Sequence, residues 1–290
     1  MADGSRRVIE IATIEIGINP NLFDIGGLTI GWHGVMVVLA VIVGVAVPLW
    51  LAKGGGIDRN TVYAIAPWAV LGGIIGARLI HVLDSLDVYT DDPLLAIKFW
   101  EGGVSVFGAI LGGTLAGVVC ARLKGISVGG LADLVAPGLI LAQAVGRIGC
   151  TINGDAYGTA TSLPWGVSYT HPEAAATTEL APYVGHPAPV YEIMWDLLIF
   201  ALIWKLRKRI KPEGSLFLVY LSLYSFGRFF LSFLRGEEES VLGPLHQAHI
   251  IAIVVFVVCV SLLIYQMRQR KRRLNSAHLL NPEMGQNRGC

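Results

Sequence analysis

Charge is what this chain has least of. Asp, Glu, Lys and Arg supply 15% of its 290 residues, against roughly 25% in an ordinary soluble domain. Stretches 25–52, 60–77, 102–121 and 240–267 carry no charge at all, and each is near or above the ~20 residues that cross a bilayer. A water-soluble globular domain is therefore excluded. The four cysteines, Cys120, Cys150, Cys259 and Cys290, have no framework spacing; Cys120 and Cys259 fall inside apolar runs and read as packing residues. No phosphate loop ending in GK[ST] and no HExxH occurs, which removes the common nucleotide and zinc-hydrolase motifs. A zinc site from His171, His186, His246 and His249 would have to be gathered from two separate loops, so no metal and no other cofactor is expected. The net charge of +1 gives no reason to expect nucleic acid. A cleavable leader is not expected either, because the first apolar run follows a 28-residue head holding Arg6, Arg7, Glu10, Glu15 and Asp24.

What is there reads as an all-α polytopic membrane protein. Seven transmembrane helices are expected at about 29–51, 62–84, 103–121, 128–148, 188–205, 214–234 and 245–266. Three parts follow: an external segment 1–28, a membrane domain 29–266 with an outer loop 150–187 inserted, and a basic tail 267–290. Orientation comes from basic residues. Fourteen, including Lys53, the Lys205–Lys211 cluster and the Arg268–Arg273 cluster, fall on one side; Arg6, Arg7, Lys98 and Arg235 fall on the other. The asymmetry places the N-terminus outside and the C-terminus in the cytoplasm. Gly72/Gly76, Gly108/Gly112 and Gly113/Gly117 are pairs spaced for close helix packing.

Within the expected spans the ionisable residues collect at one depth. His33 lies near the outer end of the first span, Arg78, His81 and Asp84 near that of the second, and Arg147 closes the fourth. Glu192 and Asp196 open the fifth, Arg228 and Arg235 close the sixth, and Asp133 alone falls in an inner half. A transporter or anion channel calls for polar residues through the midplane; this pattern points to a site at the outer surface. Spacings of four (Glu192, Asp196) and seven (Arg228, Arg235) put each pair on one helix face. Arginines at one level imply a ligand with phosphate or carboxylate oxygens, which suit the guanidinium fork. A purely structural alternative is that arginine–carboxylate pairs pin the helices, or that Arg147 snorkels to the interface.

Gly146-Arg-Ile-Gly-Cys-Thr-Ile-Asn-Gly-Asp-Ala-Tyr-Gly158 resembles the signature of the bacterial prolipoprotein diacylglyceryl transferases, Gly-Arg-x-Gly-Asn-Phe-x-Asn-Gly-Glu-x-Trp-Gly. The likeness extends over nearly the whole chain, through Asn19–Gly26, Gly31–Gly34, Gly76–Leu79, Trp100–Gly103, Leu163–Val167, His186–Glu192 and Arg228–Arg235. It implies a seven-helix enzyme of the bacterial plasma membrane with its site toward the outer leaflet. The implied reaction moves the diacylglyceryl group of phosphatidylglycerol to the lipobox cysteine of a prolipoprotein signal peptide, without metal or nucleotide. The partners are then membrane lipid, phosphatidylglycerol and the precursor. Arg147 and Arg228 match arginines of the family's catalytic apparatus. Arg78 and Arg235 would contact the headgroup, Asn153, Gly154, Asp155 and Gly158 would shape the pocket, and Glu192 would orient an arginine.

Several positions depart from the family pattern. Phe107 stands where members carry a histidine proposed as a base, His33 where they carry tyrosine, and Cys150, Thr151 and Asp155 replace the signature Asn, Phe and Glu. Ser232 replaces a glutamate four residues past Arg228. His33, with an ordinary pKa of about 6.5, is the candidate base; a buried, hydrogen-bonded histidine is the competing reading. A catalytically silent member that binds phospholipid is the alternative function.

Overall fold

The computed structural model describes residues 13–26, 28–52, 56–98, 102–176, 184–236, 240–242 and 245–280. Arg6, Arg7, Glu10, Lys53, Trp100, Glu101 and Cys290, to which the sequence reading appeals, lie outside them. The described chain is mostly helical. Its long helices are α1 (Trp32–Leu51), α2 (Arg59–Asp84), α4 (Val106–Leu123), α5 (Val128–Asn153), α6 (Ala188–Leu206), α7 (Ser215–Ser232) and α8 (Gln247–Leu280); α3 (Leu86–Asp91) and a 3₁₀ turn (Pro93–Ile97) are short. A long helix coincides with every expected span. Six of them, all but α6, are long and apolar enough to cross a membrane; α6 carries Glu192, Asp196 and Lys205. Val37, Val38, Ile42 and Trp50 on α1 and Ile253, Val254 and Val257 on α8 are exposed. Such a surface is a liability in water and the ordinary exterior of a helix in lipid. The protein is a multi-pass membrane protein.

Ser105, Ser127 and Asp58 open three of these helices by accepting backbone N–H groups that have no partner inside the helix. At exposed Asp58, the hydrogen bonds from Thr61 hold the carboxyl below its usual range. Small strands were not foreseen. β1 (Ile14–Ile16) runs parallel to β4 (Val167–Tyr169), β2 (Asn21–Ile25) and β3 (Leu28–Gly31) form a hairpin, and β5 (Ser240–Leu242) pairs with β6 (Leu245–His246). The hairpin turns at Gly26, whose φ is 60°. It then hands the chain to α1, with Trp32 N donating to Pro20 O at 2.9 Å.

Two compact units result, one from residues 1–40, 140–208 and 218–290, the other from 41–139 and 209–217. The second is built on a glycine seam between α2 and α4. A Cβ on Gly76 would collide with the Gly108 carbonyl, one on Gly108 with the Gly76 carbonyl, and one on Gly112 with the Gly72 carbonyl. Backbone therefore meets backbone, an approach that any larger residue prevents. Asp133 accepts hydrogen bonds from Gly214 N at 2.7 Å and Phe217 N at 2.8 Å. Asp133 thus ties the start of α7 to α5. In the first unit, Tyr220 donates to Gln143 at 3.0 Å, joining α7 to α5. Trp195 of α6 lies over Gly227 and donates to Leu223 O at 3.1 Å, joining α6 to α7. His249 of α8 is fully buried against Phe229 and Phe233.

Candidate active site

Three arginines converge on one carboxylate in the first unit. Arg147 Nε meets Glu192 Oε2, Arg228 Nη1 donates to Glu192 Oε1 at 2.7 Å, and Arg235 Nη1 stands 3.5 Å from the same oxygen. Their side chains are 24%, 18% and 11% exposed, and that of Glu192 8%. Asp196, one turn along α6, is also buried. With Glu192, Trp195, Tyr224, Arg228 and Leu231 it lines a small pocket. Arginine does not give up its proton in a protein. Among the described residues three fixed cations meet on Glu192, with Asp196 one turn along. Guanidinium forks held together in partly desolvated surroundings are suited to an anion whose oxygens several of them can share.

The local sequence explains how the arginines arrive there. The expected fourth span ends at 148, but α5 continues to Asn153. Arg147 is compensated by Glu192, so its charge does not mark the exit from apolar surroundings. The helix stops at Gly154, whose φ is 76° and whose N–H reaches Cys150 O at 3.0 Å. A glycine just past the end takes this left-handed backbone without strain. The connection after α5 therefore begins four residues later than its sequence suggested. Gly158 then forms an antiparallel bridge with Arg235, flanked by Thr159 N to Leu234 O at 2.8 Å and Gly236 N to Tyr157 O at 3.0 Å. A Cβ on Gly158 would run into the His186 carbonyl. This stitching fixes the end of α7, and with it Arg235, beside the loop that follows Arg147.

His33 joins the site through another glycine. A Cβ on Gly149 would lie 3.1 Å from His33 Cα and 3.0 Å from Met36 Cβ, so Gly149 allows the first turn of α1 to rest on α5. His33 Nδ1 then stands 3.3 Å from Asp155 Oδ2. Cys150 Sγ completes a trio whose donor atoms all lie within 4.8 Å of one another, and Arg147 Nη1 approaches that sulfur at 3.7 Å. The sequence reading named all three residues as departures from a pattern but did not bring them together. His33 and Cys150 are far apart in the chain, and no periodicity links them.

Other expected site residues have different occupations. Arg78, in the second unit, donates to the carbonyls of Leu95, Ala96, Lys98, Gly102 and Gly103, the three best defined at 2.9, 2.7 and 2.7 Å for Ala96, Gly102 and Gly103. All five guanidinium donors are thereby used in holding the segment after α3. Phe107 is exposed on α4. Among the histidines considered for a zinc site, His186 Nδ1 lies 3.4 Å from the Tyr191 hydroxyl, His171 Nδ1 accepts from Glu173 N, and His249 Nδ1 accepts from His246 N. Asn153 forms the last residue of α5 and Gly154 its stop.

A helical multi-pass membrane protein with arginines gathered on a buried carboxylate is the class these observations define. The family model described as prolipoprotein diacylglyceryl transferase matches residues 20–265. The chain belongs to the prolipoprotein diacylglyceryl transferase family. It is 38% identical over 252 residues to the phosphatidylglycerol–prolipoprotein diacylglyceryl transferase of Trichormus variabilis, covering 84% of this chain and 88% of that one. A protein of the same name from Dehalococcoides mccartyi is 36% identical over 261 residues, covering 89% and 97%. Another from Clostridioides difficile is 34% identical over 253 residues, covering 87% and 97%.

Proposed function

We propose that this protein transfers the diacylglyceryl group of phosphatidylglycerol to the lipobox cysteine of prolipoproteins at the outer leaflet of the bacterial plasma membrane. The convergence of Arg147, Arg228 and Arg235 on Glu192 is the observation that carries this reading. In this reading α6 is also a span, the fifth of seven, and the N-terminus is outside, as the basic-residue asymmetry favours.

The thiol sulfur attacks the glyceryl carbon that bears the phosphate. A C–S bond forms as the C–O bond breaks, and glycerol phosphate leaves with the electron pair. The thiol proton goes to solvent or to the departing phosphate. No electron is gained or lost. Arg147 and Arg228 hold the phosphate and oppose the charge that develops on it, where fixed, desolvated donors are most effective. Glu192 keeps the forks aimed, and Arg235 adds to the field. Asn153, Gly154, Asp155 and Gly158 shape the wall that the headgroup meets. His33 serves the thiol, since Phe107 cannot exchange a proton. Arg78, with its donors engaged by carbonyls, supports the fold rather than the headgroup.

The test is Arg147→Lys and Arg228→Lys in purified protein. Lysine keeps the charge but loses the fork, so most transfer should disappear while insertion and thermal stability stay close to those of the parent. Near-normal transfer in both variants would reduce these arginines to a structural or purely electrostatic role.

A further inference from the structure

We infer that His33, Cys150 and Asp155 together hold a zinc-like divalent cation whose open fourth position takes the acceptor cysteine as a thiolate. The inference rests on the transferase reading and names the means by which the thiol is activated.

The donor set is the first support. An imidazole nitrogen, a thiolate and a carboxylate are ligands that zinc combines, and sites that react rather than merely brace the fold keep three protein ligands and one open position. Distance is the second. Ligand atoms 2.0–2.3 Å from a tetrahedral zinc stand about 3.3–3.8 Å apart. His33 Nδ1 and Asp155 Oδ2 are already at 3.3 Å, and the full trio lies within 4.8 Å. A contraction of roughly 1 Å completes the coordination edge lengths.

Unsatisfied lone pairs are the third. His33 Nδ1 and Asp155 Oδ1 are buried atoms with no hydrogen-bond partner among the described residues. The 3.3 Å approach of the two side chains is therefore an ion-pair distance without hydrogen-bond geometry. Buried polar atoms are rarely left so, and a cation between them would satisfy both. Charge fits as well: one thiolate and one carboxylate neutralise a divalent ion, so the neighbouring Arg147 faces no added net charge. The His33 and Asp155 side chains are 42% and 35% exposed, which leaves a face open to an incoming thiol, whereas Cys150 is buried.

Two other uses of the trio fail on chemistry. Attack by Cys150 itself on the glyceryl carbon would form a thioether that no later step releases. His33 acting alone as base would leave the Cys150 thiol, which Arg147 and Asp155 hold in place, with no part in the chemistry. A bound cation gives all three a task. The acceptor thiol coordinates and loses its proton to water, since a metal-bound thiol is deprotonated. Its sulfur then forms the C–S bond as the phosphate leaves toward Arg147 and Arg228. A free thiol with a pKa of about 8.5 is only about 3% thiolate at pH 7, so full conversion is worth up to roughly 30-fold in reacting species.

The experiment uses the full chain in detergent, stripped by a chelator and titrated with Co²⁺ as the spectroscopic probe. One ion per chain and a sulfur-to-cobalt charge-transfer band are expected. Adding a lipobox peptide should strengthen the band as a second sulfur joins, and its Cys→Ser version should not. Cys150→Ser should lose the band seen without peptide, and Asp155→Asn and His33→Gln should weaken binding. Transfer from phosphatidylglycerol should fall by about 30-fold on stripping and return with Zn²⁺. Failure of wild-type protein to bind the ion, a band indifferent to the cysteine peptide, or transfer undiminished by stripping would each overturn the inference and leave the transferase reading standing. The expected cobalt spectra without any transfer would overturn the transferase reading and support the metal site.

Discussion

Glu192→Gln isolates the centre of the arginine cluster. The substitution keeps size and shape but removes the charge that Arg147, Arg228 and Arg235 share. Gln offers one carbonyl oxygen in place of two carboxylate oxygens, and its NH₂ group turns toward one of the guanidinium forks. Breaking a buried ion pair from one side costs about 3–5 kcal/mol, because the remaining charge stays desolvated without a partner. Arg147 loses the carboxylate that its Nε meets, and that carboxylate is 8% exposed, so the loss should fall in that range. It should also be partly reversible by ligand. Glycerol phosphate at a hundred times its dissociation constant stabilises a folded protein by about 2.7 kcal/mol, enough to recover a large share. The assay is thermal unfolding of the detergent-solubilised protein with and without glycerol phosphate. The expected result is a lowered transition for Glu192→Gln and a larger ligand-induced rise than in the parent. A variant as stable as the parent and indifferent to glycerol phosphate would refute the reasoning, since it would mean the arginines neither depend on Glu192 nor present an anion site.

Gly112→Val places a branched side chain against the Gly72 carbonyl and should destabilise the second unit by about 3 kcal/mol or more, at the upper end for overpacking, measured by thermal unfolding. Ser232→Ala removes a buried hydroxyl with no hydrogen-bond partner among the described residues and should leave stability unchanged or raise it by up to ~1 kcal/mol; a clear loss would reveal a bonded hydroxyl. A reporter fused near Glu173 should behave as external and one after Arg270 as cytoplasmic. Both on the same side would contradict the outward-facing site.

The helices were legible because apolar runs of bilayer length have few other uses, and the arginine cluster because buried charge at one depth needs partners. Glu192, Arg147 and Arg228 could be named from depth and motif, though not the geometry in which one carboxylate serves three forks. α5 ran past its expected end because a compensated arginine no longer marks a boundary; Gly154 does. α8 continues to Leu280 rather than stopping near 266, since Gln, Met, Arg and Lys are good helix formers even after hydrophobicity ends. The strands β1 and β4 pair segments some 150 residues apart in only three positions each, too short for alternation to signal them. Arg78 shares the residue type of the cluster and the depth expected from sequence, but its task depends on five backbone carbonyls, those of Leu95, Ala96, Lys98, Gly102 and Gly103, whose convergence no spacing signals.

The most direct measurement is transfer by the purified protein from phosphatidylglycerol labelled in its acyl chains to a lipobox peptide, beside the Cys→Ser peptide. The expected result is label covalently attached to the cysteine peptide, stable as a thioether, with one glycerol phosphate released per peptide modified and none from the serine control. Phosphatidylglycerol bound to the protein with no label moved to the cysteine peptide would contradict it and leave a lipid-binding protein without transferase activity.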